Sequence, residues 1–203
     1  MRIGITLDEV LRDTLTQFLY TYEKYYEVDT GLKIDDITSR NLSEFVDFQS
    51  VDDMNRFLYI EAPLEVFGHA DQKHENLMTK FNNFLMDIKD EEEHELEIVS
   101  REIHGSIPAT LFFLSKLSCR VEKIRFVQDH KDYWDGIDVL ITADPKALDT
   151  KPDNKISVKI NAPYNGENIS DFELDSIVEF MMDESLREKI LNTKITTYEN
   201  IED

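Results

Sequence analysis

The stretch Arg2–Arg12, RIGITLDEVLR, decides the fold. Its opening, Arg2–Leu7, is a short apolar run rich in β-branched residues, of the length that suits a buried strand. Polar side chains then cluster at Thr6, Asp8 and Glu9, and Leu15, Phe18, Leu19 and Tyr22 follow at helical spacing. Asp8 reads as the N-cap of a helix that begins near Glu9, because its carboxylate can accept from a free amide of the first turn.

Four further runs have the same character: Leu96–Ser100, Lys123–Val127, Asp138–Thr142 and Ile156–Ile160. Between two of them lies Ser106–Ser118, SIPATLFFLSKLS, where Pro108 suits a first turn and Leu111, Leu114, Ser115 and Ser118 share a helical face. Strand, helix, strand in that order implies parallel pairing through crossovers. The expected fold is therefore α/β, a Rossmann-like parallel sheet of about five strands with an inserted helical cap. The core takes residues 1–12 and 91–192, and the cap residues 13–90, whose apolar residues recur at helical spacing through Phe45, Phe48, Leu77, Phe81, Phe84 and Ile88. DEEEHE, residues 90–95, reads as a charged connector, Asp171–Met182 as a final amphipathic helix, and 193–203 as a polar tail.

A chain of 203 residues with 41% hydrophobic residues can bury one substantial core without disulfides. Cys119 is its single cysteine, and no Cys/His cluster has zinc spacing, which fits a reducing compartment. The sequence shows neither a leader-like apolar segment at its start nor 18 consecutive apolar residues, so the expectation is a cytoplasmic protein with no membrane contact. A net charge of −21 opposes direct nucleic-acid binding and favours a protein partner with a basic surface.

Ligands of parallel α/β sheets gather at the carboxyl ends of the strands. There the sequence resembles the haloacid dehalogenase superfamily, in its deoxyribonucleotidase-like branch. IGITLDEVL resembles the first motif, a strand ending in Asp-x-Asp-Gly-Val-Leu, and the RDT that follows points to the branch. IVSREI is similar to the strand that ends in a phosphate-binding Ser or Thr. DVLITADPKAL resembles the fourth motif and APYN the element after the last strand, while GHADQKHENLMTKFNNFL has the size of a cap segment. The likeness runs from Ile3 to about Met182.

The resemblance implies an aspartyl nucleophile where this chain has Thr6, and metal-directed carboxylates where it has Thr142 and Ala143. Asp8 keeps the position of the general acid and base, and Glu9 stands where glycine is usual. Pro145 fixes the register that keeps Asp144 out of the metal position. The phosphate-binding remnant would be Ser100, Arg101 and Lys131, with Lys123 competing for the role of the last. The five histidines lack metal spacing, and Tyr20, Tyr22, Tyr25 and Tyr26 read as cap packing. With the degenerate positions Thr6, Asp8, Thr142 and Ala143, the expectation is no catalytic residue, no metal and no cofactor, the Mg2+ site being lost. The protein would then be a catalytically inactive nucleotidase-like pseudoenzyme, not an enzyme, acting as a protein-binding or assembly module. The alternatives are a weak binder of a nucleotide or phosphometabolite, and an active phosphatase with relocated catalytic residues. A bacterial or phage origin fits the resemblance, with the cytoplasm of a bacterium or infected cell as the location and a virion as the alternative.

Overall fold

The structure, a computed structural model, describes residues 1–90 and 94–193. Six strands form one parallel sheet in the order β3-β2-β1-β4-β5-β6. They are β1 (Arg2–Ile5), β2 (Glu95–Arg101), β3 (Ile124–Val127), β4 (Val139–Thr142), β5 (Ile156–Ile160) and β6 (Phe172–Leu174). β1 lies at the centre, with Ile3 opposite Leu96 and Val139, and Ile5 opposite Ile98 and Ile141. Strands covered on both faces are buried throughout and largely apolar, as in the VLIT of β4 and the ISVKI of β5. Lys159 is tolerated in β5 because its ammonium leaves the core to reach Asn168 O and Glu173 Oε1, at 3.0 and 2.9 Å.

Seven α-helices accompany the strands among the described residues: α1 (Thr14–Tyr26), α2 (Val51–Arg56), α3 (Leu77–Asp90), α4 (Ser106–Lys116), α5 (Pro145–Asp149), α6 (Ile177–Met182) and α7 (Glu184–Leu191). The expected fold class holds, with a sheet of six strands. The stretch read as one final helix, Asp171–Met182, splits into β6 and α6. Asp171 caps the entry by accepting from Ser157 N and Oγ, and Ser176 starts α6 in a capping box with Glu179. The first helix begins at Thr14, five residues later than expected, so Asp8 is not its N-cap.

The segment between β1 and β2 builds its own cluster around Phe18, Tyr22, Phe48 and Phe57, whose rings meet at 5.2 to 6.4 Å. Two single wide turns follow α2, in which Ala62 N donates to Phe57 O and His69 N to Leu64 O. Such five-residue turns let Val66, Phe67 and Gly68 bend back against α4. α3, in the cap by the sequence boundaries 13–90, instead packs Leu77, Phe81, Phe84 and Ile88 into the cluster of the sheet. Of the DEEEHE connector, residues 91–93 lie outside the described residues, as does the tail from residue 194. No helix among the described residues is long and apolar enough to cross a membrane.

Insertion and core meet closely at Gly105, whose amide donates to Tyr59 O at 3.0 Å. A Cβ there would stand 2.6 Å from Pro63 Cγ and 2.9 Å from Tyr59 O. Gly105→Ala should therefore cost about 1–3 kcal/mol by overpacking, read as a lower urea midpoint at an unchanged slope. A midpoint within error of the parent would mean that the two layers can part freely here.

Candidate functional site

After β1 the chain closes a tight loop. Leu7 O accepts from the amides of Val10, Leu11 and Arg12, and Glu9 is left-handed at φ 60°. This is the position where the resembling motif has glycine, and a non-glycine residue there carries strain. Glu9 is held by its side chain: its carboxylate accepts from Leu15 N at 2.9 Å and pairs with Lys73, which also reaches Asp13 at 3.1 Å. Its carboxylate therefore points at a lysine of the insertion.

The loop turns Arg12 inward until its side chain has no exposure. Its guanidinium donates to Asp8 Oδ1 at 2.7 Å, Glu102 Oε1 at 2.9 Å and Thr110 Oγ1 at 2.6 Å, and it lies over the rings of Phe67 and Phe113. Thr14 adds a 2.6 Å hydrogen bond to Asp8 Oδ1, and Glu102 Oε1 also accepts from Ser100 and Thr110. Glu102 Oε2 is buried without a protein partner.

Asp8 is one-fifth exposed, and its second oxygen meets Arg40 Nη2 at 3.3 Å. Arg40 Nη1 reaches Asp144 Oδ2 at 2.9 Å, which His130 Nδ1 also approaches at 3.2 Å. Asp144 caps α5 through its other oxygen, which accepts from Lys146 N. Arg40, 37% exposed, comes from the insertion and lies over the Tyr164 ring at 5.6 Å. One guanidinium thus bridges carboxylates that follow the carboxyl ends of the neighbouring strands β1 and β4. Burial alone would raise the Asp8 carboxyl, but Arg12 and Arg40, with the Thr14 hydrogen bond, hold it below the ordinary value. Burial likewise opposes ionisation of Asp144, and Arg40, His130 and the Lys146 amide hold it well below. Tyr133 and Tyr164, buried beside this cluster, are pushed up by desolvation and stay protonated.

Thr6 donates to Thr142 Oγ1 at 3.1 Å, and Thr142 Oγ1 accepts from Asp144 N, so the two threonines close the strand ends. Ala143 is fully buried and its carbonyl accepts from Asn165. The three residues expected to hold phosphate are not brought together. Ser100 is buried against Glu102, Arg101 extends to Gln128 O, and Lys131 is 71% exposed beside Asp129. Lys123 pairs with Glu95 at the entry of β2, the opposite end of that strand. His130, one residue before Lys131, is the side chain that reaches the site. Asp144, expected to stay out, is in it, because Pro145 starts α5 and leaves the preceding residue extended with its side chain free to turn inward. The sequence reading missed Arg12, Arg40, Glu102, Thr110 and His130. Only Arg12 carried a signal, its i,i+4 spacing from Asp8.

No protein-family model matches the chain, and no curated protein matches it. Solved structures do. A haloacid dehalogenase-like hydrolase from Bacteroides fragilis superposes with a TM-score of 0.58 at 13% identity, over 88% of this chain and 98% of the other. One from Burkholderia xenovorans LB400 gives 0.57 at 9% identity, over 91% and 96%. A dehalogenase solved with an intermediate complex gives 0.50 at 10% identity, over 88% and 94%. This is the haloacid dehalogenase-like fold.

Two expectations are corrected by that comparison. Each of these structures is described as a dehalogenase or hydrolase, which points to an enzyme and overturns the expected non-enzyme. Hydrolases of this fold typically use Mg2+, which overturns the expected lack of a cofactor. The side chains do not fit that ion as they are arranged. Among the described residues no group of three or more His, Cys, Asp or Glu converges, and the carboxylates Asp8 and Asp144 share Arg40. No step is derived through it.

Arg12→Met should cost about 3–5 kcal/mol, because it leaves Glu102 and Asp8 as uncompensated buried charge. Adding Glu102→Gln should recover part of that loss, and equal stability of the single and double variants would show that the pair is uncoupled. Stability should also depend on acid. The depressed Asp8 and Asp144 carboxyls contribute fully above the unfolded value of about 4 and lose that contribution as pH falls through their folded values. Glu9, raised by burial against the pull of Lys73, works in the opposite direction. Asp144→Asn should flatten the acid limb of a urea stability profile, and an unchanged limb would count against the assignment.

Proposed function

We propose that the protein is a hydrolase of small phosphate monoesters whose chemistry rests on Asp8 and Asp144 in place of the acids that the resemblance puts at Thr6, Thr142 and Ala143. The observation that carries this reading is the pair of ionised carboxylates at the ends of β1 and β4, meeting at a partly exposed arginine. Asp8 Oδ1 is fixed by Arg12 and Thr14, which leaves Oδ2 as the oxygen free to attack once Arg40 moves aside. Attack on phosphorus makes an acyl phosphate and expels the alcohol, and water then cleaves the acyl phosphate. His130, whose Nδ1 lies 3.2 Å from Asp144 Oδ2, is the group that protonates the leaving oxygen. Arg40 is placed to turn from the carboxylates to the phosphoryl oxygens, a planar fork suited to them. The nucleotide alternative is one member of this substrate class. Docking of a basic protein surface on the exterior is a second, compatible proposal that rests on the net charge of −21.

The test is phosphate release from an aryl phosphate and from a panel of nucleoside and sugar monophosphates, with and without added Mg2+. Asp8→Asn should fall to background and Asp144→Asn by about 10²- to 10⁴-fold, while Thr6→Ala keeps most of the activity. Turnover that survives in Asp8→Asn, or no release from any phosphate, would sink the reading. Halide release from a 2-haloacid in its place would replace the substrate class.

A further inference from the structure

The turn that carries His130 is a single one, His130–Trp134, set between β3 and β4. It packs on one face of the sheet, where Tyr133 and Trp134 join Val99 of β2 and Val127 of β3 in a small apolar cluster. Arg125 lies on that face two residues before Val127, and Glu97 lies there two residues before Val99, the residue opposite Arg125. The last carbonyls of a helical turn have few amides to meet, and here they turn to Arg125. Its Nη1 donates to Asp132 O at 2.6 Å, and its Nη2 to Tyr133 O at 3.3 Å and Asp135 O at 3.0 Å. Nε and Nη2 also hold Glu97 Oε1, at 3.0 and 2.8 Å. One mostly buried guanidinium therefore ties the closing end of the turn to two strands. The opening end is held at the surface, where Asp129 accepts from Lys131 N and both side chains are exposed. There His130 Nδ1 stands buried, 3.2 Å from Asp144 Oδ2 but without an aligned hydrogen bond. A ring so placed takes its position from the backbone beneath it.

We propose that Arg125 is a positioning residue for His130: by seating the carbonyl end of the turn on β2 and β3, it sets the approach of the imidazole to Asp144 and to the leaving oxygen. The inference rests on the proposed hydrolysis, in which His130 gives its proton to that oxygen. The hydrogen bonds of Arg125 go to Glu97 and to the turn, so its effect on the chemistry passes through His130. A planar fork serves a carboxylate and three carbonyls together, whereas a lysine offers its donors from one point. Protonation matters most for an alkoxide, a strongly basic leaving group, and least for a nitrophenolate, which departs without a proton. Loss of Arg125 therefore slows alkyl esters selectively.

Steady-state hydrolysis of para-nitrophenyl phosphate and of a ribose phosphate is compared for the full chain, Arg125→Gln, Arg125→Lys, His130→Gln and the double variant. Arg125→Gln should lose about ten-fold in kcat on the sugar ester at a KM within about two-fold of the parent, and little on the aryl ester, with Arg125→Lys between. In the His130→Gln background the same change should cost nothing further. Equal slowing of both esters, or a loss that multiplies with that of His130→Gln, overturns the proposal. A second readout needs no turnover. The imidazole nitrogen signals of His130, identified by their absence from His130→Gln, should shift in Arg125→Gln together with the indole N–H signal of Trp134, the single tryptophan of the chain. A parent that hydrolyses neither ester retires the proposed hydrolysis, and the spectra then decide: shifted His130 signals keep the seating of the ring by Arg125, and unmoved ones overturn it. Should Arg125→Gln fail to fold, Arg125→Lys takes its place in every comparison.

Discussion

A guanidinium without solvent has to find acceptors for its five N–H groups, and Arg12 draws them from three parts of the chain. Asp8 comes from its own loop, Glu102 from the end of β2, and Thr110 from α4. The loop after β1 must therefore curl tightly enough to aim Arg12 inward, which is what the left-handed Glu9 and the three amides on Leu7 O accomplish. The cation lies over the rings of Phe67 and Phe113, so the insertion and α4 meet through it as well. Removing that charge would not simply delete one contact. It would leave Asp8 and Glu102 without their buried partner.

The insertion is fastened to the sheet in two chemically different ways. Where it leaves and returns, backbone hydrogen bonds join residues 11–13 to residues 71–73, reinforced by Lys73 between Glu9 and Asp13. Across the pocket, the observed tie of the 37–42 segment to the strand-end carboxylates is the partly exposed Arg40. The first fastening is backbone in character and shielded by packed side chains. The second is ionic and open to water, hence open to competition from dissolved ions. Motion of the insertion, where it occurs, should therefore begin on the Arg40 side.

The sheet was legible in the sequence because buried parallel strands read as short β-branched runs, and five of the six do. β6 did not, since three residues flanked by Asp171 and Asp175 have too little periodicity to separate from the helix that follows. Strand-end positions were legible for the same reason, which is why Thr6, Asp8 and Thr142 fall where expected. The charges around them were not. Arg40 lies 32 residues from Asp8, and Glu102 lies 90 from Arg12, so no local spacing connects them. Asp144 was misplaced for a different cause. The proline after it fixes the register of the motif, but register does not decide where the preceding side chain points.

Charge balance ties the chemistry of the site to its ligand. Asp8, Glu102 and Asp144 face Arg12 and Arg40, three negative groups against two positive, while Glu9 is answered by Lys73. An isolated phosphate entering beside them would meet a surplus of negative charge at low dielectric, where such repulsion is strong. It can be received if Arg40 turns from the carboxylates to the ligand, but the carboxylates are then left short of one positive charge. The bridging arginine therefore holds the position on which the charge balance of the site turns.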